Sequence, residues 1–288
     1  MRTLLALIEG SDADPFILEA AHTLARGRSG HIDALHVDMT VVDAAGYAPQ
    51  GDFARGAALE GSLKALEARR TGTAEAAREA FSAFCARQAI VETNEPASAR
   101  GVTASWLRET SAEIDRLIEM ARHHDLILCG HPSSGHAWPR HLIERLLIET
   151  GRPLLLLPKT ARLRDLDNVT LCWKEDAASA RAVTASLPIL GQAKSVGIVT
   201  VRESAEQSAK SGWDLAGQLG WHGIDASAEL IWDGGSSAIN QIRAAAAAQR
   251  ASLIVMGAFS HSRTRERLFG GFTQAMLDGS DRPVFLLH

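Results

Sequence analysis

One stretch of the chain occurs twice. Asp125-Leu-Ile-Leu-Cys-Gly130 runs into a polar loop, an apolar helical pattern and then Arg152-Pro153-Leu-Leu-Leu-Leu157. Ser252-Leu-Ile-Val-Met-Gly257 repeats that order and ends in Arg282-Pro283-Val-Phe-Leu-Leu287. Each half also opens alike, with Leu4 to Ile8 before a helical pattern from Phe16 to Ala25, and Val169 to Trp173 before one from Ala177 to Leu190. A duplication within 288 residues leaves two units, each long enough to bury its own core. The charged stretch Lys159 to Asp167 reads as a linker, which gives domains at 1–159 and 168–288.

Short continuous apolar runs alternate with helical patterns in both halves. Such runs mark strands covered on both faces, the sign of a parallel sheet between helix layers. The expected strands of the first half are Thr3–Ile8, Ile32–Val37, Ser105–Glu109, Leu126–Cys129 and Leu154–Leu157. Those of the second are Val169–Trp173, Ser195–Val201, Ser227–Ile231, Leu253–Met256 and Val284–Leu287. The first half carries extra chain: a Gly-rich insert over 42–61, read as a surface loop or a lid, and a helix from Thr73 to Gln88 with Ala77, Phe81 and Phe84 on one face.

Composition excludes several classes. A net charge of −4 gives no basic face for nucleic acid. No apolar run reaches the length of a membrane span, and Glu9 closes the N-terminal run too early for a signal peptide. Three cysteines make no disulfide framework and fit a reducing compartment, so the expected location is cytoplasmic.

In open parallel α/β sheets, ligands sit beyond the carboxyl ends of the strands, where the strand order reverses. In the second half that loop runs from Gly257 through Ser260 to Gly270-Gly271-Phe-Thr273 and carries Arg263, Arg265 and Arg267. Small residues bare backbone N–H groups, and a helix starting here adds its positive end, which makes a phosphate cradle. The other reading of the glycine pair is a tight turn into a helix.

The unit resembles a universal stress protein domain, and the whole chain resembles the tandem members of that family. The resemblance rests on Glu9-Gly10-Ser11 ending the first strand, His36-Val37 closing the second, the Leu-Ile-Val-Met-Gly257 strand with its loop, and the Arg-Pro-apolar final strands. It implies an α/β fold of two tandem doubly wound domains, each a five-stranded parallel sheet in order 3-2-1-4-5. It also implies an intramolecular pseudo-dimer that pairs Leu154–Leu157 with Val284–Leu287, and a possible further homodimer.

Many members of that family bind ATP through Gly, two residues, Gly, nine residues, Gly, then Ser or Thr. Here Gly257 and Gly270 keep their places, Ser260 replaces the middle Gly, and Gly271 stands for the Ser or Thr with Thr273 nearby. Lys174 occupies the position of an acid that holds the nucleotide, and Glu9 keeps that acid in the first half. The expected second-half site is Gly257, Ser260, Gly270, Gly271, Thr273 and Lys174, with the strand end from Val199 to Val201 lining the base. A weaker first-half site comprises Glu9, Val37, Gly130 and Ser133, obstructed by Pro139, Arg140 and His141. The cofactor implied is ATP or a related nucleotide, with magnesium.

His123, His124, Cys129, His131, His136 and His141 crowd together, but their spacing matches no familiar zinc pattern. Of these, Cys129, His131, His136 and His141 form the candidate metal cluster. Neither a nucleophile elbow nor a Gly-x4-Gly-Lys-Ser/Thr loop is present, so the sequence offers no catalytic group, and weak ATP hydrolysis is a third class. The expected function is a stress-response protein that binds or senses an adenine nucleotide. The alternative is a nucleotide-independent interaction module that uses the Gly-rich insert or an exposed Trp138.

Overall fold

The computed structural model describes residues 1–38, 57–96, 101–110, 114–132, 138, 140–159, 162–163, 165–202, 210–232, 238–259 and 271–288. Eleven strands form one sheet: β1 Thr3–Ile8, β2 His31–Asp38, β3 Val91–Glu92, β4 Thr103–Thr110, β5 Leu126–Gly130, β6 Leu154–Leu157, β7 Asn168–Cys172, β8 Ser195–Arg202, β9 Ala226–Trp232, β10 Leu253–Gly257 and β11 Val284–Leu287. The described helices are α1 Asp14–Ala25, α2 Ala57–Gln88, α3 Ile114–Arg122, α4 Arg140–Glu149, α5 Ala177–Leu190, α6 Lys210–Gly220, α7 Ala238–Ala248 and α8 Gly271–Asp278.

The strand order is β3-β4-β2-β1-β5-β6-β11-β10-β7-β8-β9. Pairing is parallel within residues 1–159 and within residues 168–288. The two parts join at β6 and β11, which run antiparallel with Leu155 opposite Phe285. Because that one joint reverses direction, the carboxyl ends of the first half's strands lie beside the amino ends of the second half's.

Alternation along the strands splits the core between the two faces of the sheet. Leu4, Ala6, Ile8, Leu128, Val255 and Phe285 face one apolar layer. Leu5, Leu7, Ile127, Cys129, Met256 and Leu286 face the other. Strands buried on both sides read as the unbroken apolar runs seen in the sequence. Each buried Leu, Ile, Val, Met or Phe among them contributes about 1.5–3 kcal/mol through lost apolar surface.

Four features differ from expectation. Helix α2 begins at Ala57, so the last residues of the 42–61 insert are helical; residues 39–56 lie outside the described set. A two-residue strand, β3, adds to the outer edge of the first half. The stretch read as a linker buries Leu163 and Leu166 in the core, because its apolar side chains meet the same layer as α1 and α5. Trp138, read as exposed, is buried among α3 and α4 residues, while Trp213 and Trp221 of α6 and its following turn are exposed at 61% and 87%.

Candidate functional site

In both halves, the described residues of the expected sites cluster toward the carboxyl ends of the strands. The pairings Leu4 with Leu126 and Val169 with Leu253 put β1 and β7 in equivalent registers, so Glu9 and Lys174 occupy matching positions. Trp173 donates its backbone N–H to the Val199 carbonyl at 2.9 Å, and Asp176 donates its own to the Lys174 carbonyl at 2.8 Å. Asp176 then caps α5, accepting the Ser179 N–H at 2.8 Å. This turn carries Lys174, partly buried, past the end of β7.

Gly257 closes β10 against that same helix start. A Cβ there would stand 2.5 Å from the Ser179 nitrogen and 2.7 Å from the Ala178 carbonyl carbon, so only glycine fits without a shift. Gly271 opens α8, and a Cβ on it would meet nothing within 4 Å among the described residues. Thr273 turns inward: it is buried, and its hydroxyl accepts the Phe259 N–H at 3.3 Å. Ser260 and Gly270 lie outside the described residues.

Val199 is a core residue, 1% exposed, in the layer with Cys172 and Met256. Strand β8 runs on to Arg202, and the registers Thr3 with His31 and Asn168 with Ser195 make Val201, not Val199, the counterpart of Val37. The expected base lining is the strand end from Val199 to Val201, and this register selects Val201 within it. Sequence reasoning also missed Thr200, Ser211 and Asp176. The Trp173 indole donates to the Ser211 hydroxyl at 2.8 Å at the start of α6. Thr200 is buried facing Gly212, and among the described residues its Oγ1 has no hydrogen-bond partner; neither has Asp176 Oδ2.

The first half is more crowded. Gly10 has φ +75°, and a Cβ there would lie 2.1 Å from the backbone oxygen of Thr73, so α2 is pressed onto the turn after β1. Asp14 is fully buried and accepts N–H groups from Glu9 at 2.9 Å and Gly10 at 2.7 Å. Burial pushes its carboxyl up to about 6, against the pull of those two bonds. Glu9 and Val37 are buried, and Gly130 ends β5. Between them, His36 donates through Nδ1 to the Ile8 carbonyl at 3.1 Å and stacks on Trp106. Its Nε2 faces Asp38 at 3.4 Å, and Asp38 pairs with Arg108 at 2.8 Å. Burial is the main force lowering the His36 basicity. Ser133 and Pro139 lie outside the described residues. Arg140 does not stay in its own cleft: it starts α4 and contacts Gln274 and Asp278 of α8.

The histidines separate. His124 contacts Asp33 at 2.7 Å, and His131 is fully buried and donates to the Met276 carbonyl. His141 is exposed, and His136 lies outside the described residues. Burial raises the thiol pKa of Cys129, which sits in the core. Among the described residues no three His, Cys, Asp or Glu side chains are grouped to hold a metal ion. No helix among them is long and apolar enough to cross a membrane.

The fold defined by this topology is that of the universal stress proteins. A universal stress protein from Archaeoglobus fulgidus superposes with a TM-score of 0.67 at 13% identity, over 99% of this chain and 95% of that one. A putative universal stress protein from Pseudomonas aeruginosa gives 0.59 at 17% identity, over 100% and 93%. A functionally unknown protein from the same species gives 0.58 at 16% identity, over 100% and 92%. No family model matches the chain, and no curated protein does.

Proposed function

We propose that the chain is a cytoplasmic stress-response protein of the universal stress protein kind, with domains at 1–159 and 168–288 packed as a pseudo-dimer, and that its second domain binds an adenine nucleotide with magnesium. The observation that carries this reading is the pair of buried polar atoms without partners among the described residues, Thr200 Oγ1 and Asp176 Oδ2, at the carboxyl ends of β8 and β7. A buried polar group left unmade costs about 1–3 kcal/mol, which a polar ligand recovers. The backbone around it suits the phosphates: Gly257 lies against the start of α5, and α8 begins at an open Gly271. Lys174 supplies positive charge toward phosphate, and the β8 end near Val201 lines the base.

Calorimetric titration with ATP and magnesium tests the reading. Binding is expected, and Gly271→Val, whose side chain enters open space in the fold, is expected to weaken it. No heat from folded protein at millimolar ATP overturns it. A second reading, an interaction module without nucleotide, is favoured by one observation, the exposure of Trp213 and Trp221. It predicts a bound protein partner that Trp213→Ser with Trp221→Ser releases while leaving the titration unchanged.

A further inference from the structure

Helix α8 ends, as helices do, in carbonyls that its own backbone does not satisfy. Arg243 donates through Nη2 to the Ala275 carbonyl at 3.2 Å and to that of Gly279. The Met276 carbonyl is taken from the other half of the chain: fully buried His131 donates to it through Nε2 at 2.7 Å. Arg140 adds contacts to Gln274 and Asp278. These donors sit at the negative end of the helix, where they are favoured.

The matching helix of the first half is capped differently. The Arg-Pro pairs before β6 and β11 align Leu146 with Met276 and Thr150 with Ser280. The Leu146 carbonyl accepts the Thr150 N–H at 3.3 Å and the Thr150 hydroxyl at 2.6 Å, both from its own segment. Ser280 instead donates its hydroxyl to the Arg282 carbonyl at 2.8 Å. The counterpart of His131, one residue past the strand-closing glycine, is Ala258, which has no side-chain donor. The first half caps itself, whereas the second adds to its own Arg243 a donor borrowed from the first half.

We propose that His131 is a positioning residue through which the first half sets the order of α8, and with it the geometry of the open helix start at Gly271. Its effect on ligand affinity rests on the nucleotide reading above; its effect on α8 does not. The contact has no twin, because Ala258 offers no side-chain donor to the helix ending at Glu149.

Amide hydrogen exchange on the full chain without ligand tests it. His131→Leu keeps bulk and removes the donor; His131→Gln keeps an N–H. The α8 amides are expected to exchange about tenfold faster in the Leu variant and near the parent rate in the Gln variant, with α4 amides unchanged in both. Magnesium–ATP affinity is expected to fall about tenfold in the Leu variant and return in the Gln variant. If the Leu variant does not fold, Arg140→Gln, on the partly exposed rim, is expected to speed α8 exchange about threefold. Unchanged α8 exchange in folded His131→Leu, or in Arg140→Gln should the former not fold, overturns the proposal. A parent protein that binds no nucleotide overturns the nucleotide reading, and the exchange rates still decide the coupling.

Discussion

His124 contacts Asp33 through Nε2 at 2.7 Å, while its Nδ1 lies 2.8 Å from the Met120 carbonyl, so one ring ties the end of α3 to the middle of β2. Asp33 also receives His31 at 3.0 Å and the Ser105 hydroxyl. Burial alone would raise the Asp33 carboxyl, but the bonds from His124, His31 and Ser105 outweigh it and hold the group well below the usual carboxylate range. A depressed acid contributes stability that is fully present above its unfolded value, near 4, and is lost as pH falls through the folded value. Asp33→Asn is therefore expected to lower stability at pH 7 by about 2 kcal/mol and to flatten the acid limb below pH 4. Urea unfolding at pH 3, 5 and 7 checks this; an unchanged acid limb counts against the assignment.

Asp14 behaves in the opposite sense. Its folded value, about 6, lies above the unfolded one, so the native state holds a proton that the unfolded chain releases between roughly pH 4 and pH 6. Stability is expected to decline across that window by on the order of 3 kcal/mol and to level off above it. Asp14→Asn should remove the slope while losing one of the two N–H bonds to Glu9 and Gly10. Denaturation midpoints at half-unit steps from pH 4 to pH 7 provide the measurement.

Two glycines are fixed by close approach. Gly257→Ala drives a methyl into the first turn of α5, and Gly10→Ala drives one into the Thr73 carbonyl at a left-handed backbone position. Each is expected to cost about 1–3 kcal/mol by overpacking. Gly271→Ala meets open space and should leave the thermal midpoint near that of the parent. Equal midpoints for all three would contradict the packing described.

The proposed nucleotide reading gives Lys174 to phosphate and not to ribose. Lys174→Ala is expected to weaken magnesium–ATP by about tenfold and to leave adenosine unaffected. Parallel titrations with the two ligands separate the roles, and an equal loss for both would move Lys174 to the sugar.

Much of this fold was legible because the sheet is covered on both faces. The runs Leu4 to Ile8, Leu154 to Leu157 and Val284 to Leu287 leave no other economical placement. Helix α2 was foreseen only from Thr73, because residues 57–72 combine Glu60, Lys64, Glu67, Arg69 and Arg70 with Gly61 and Gly72 and show no apolar stripe. Trp138 read as exposed because its sequence neighbours are polar, yet the layer built by Leu142, Leu146 and Ile118 takes it in. In the candidate site, Gly257 and Gly271 were proposed from spacing, whereas Val201 needed the strand register and Thr200 needed the position of α6. The contact of His131 with Met276 joins residues far apart in the chain, and no local pattern announces it.

The antiparallel seam between β6 and β11 has a consequence for access. It turns the carboxyl ends of the two halves' strands toward opposite poles of the molecule, so a single small ligand does not reach both. The contact of His131 with Met276 joins the two halves, and α8, which carries Met276, is about 12 Å long. The molecule is laid out as a two-ended device with its linkage in the middle.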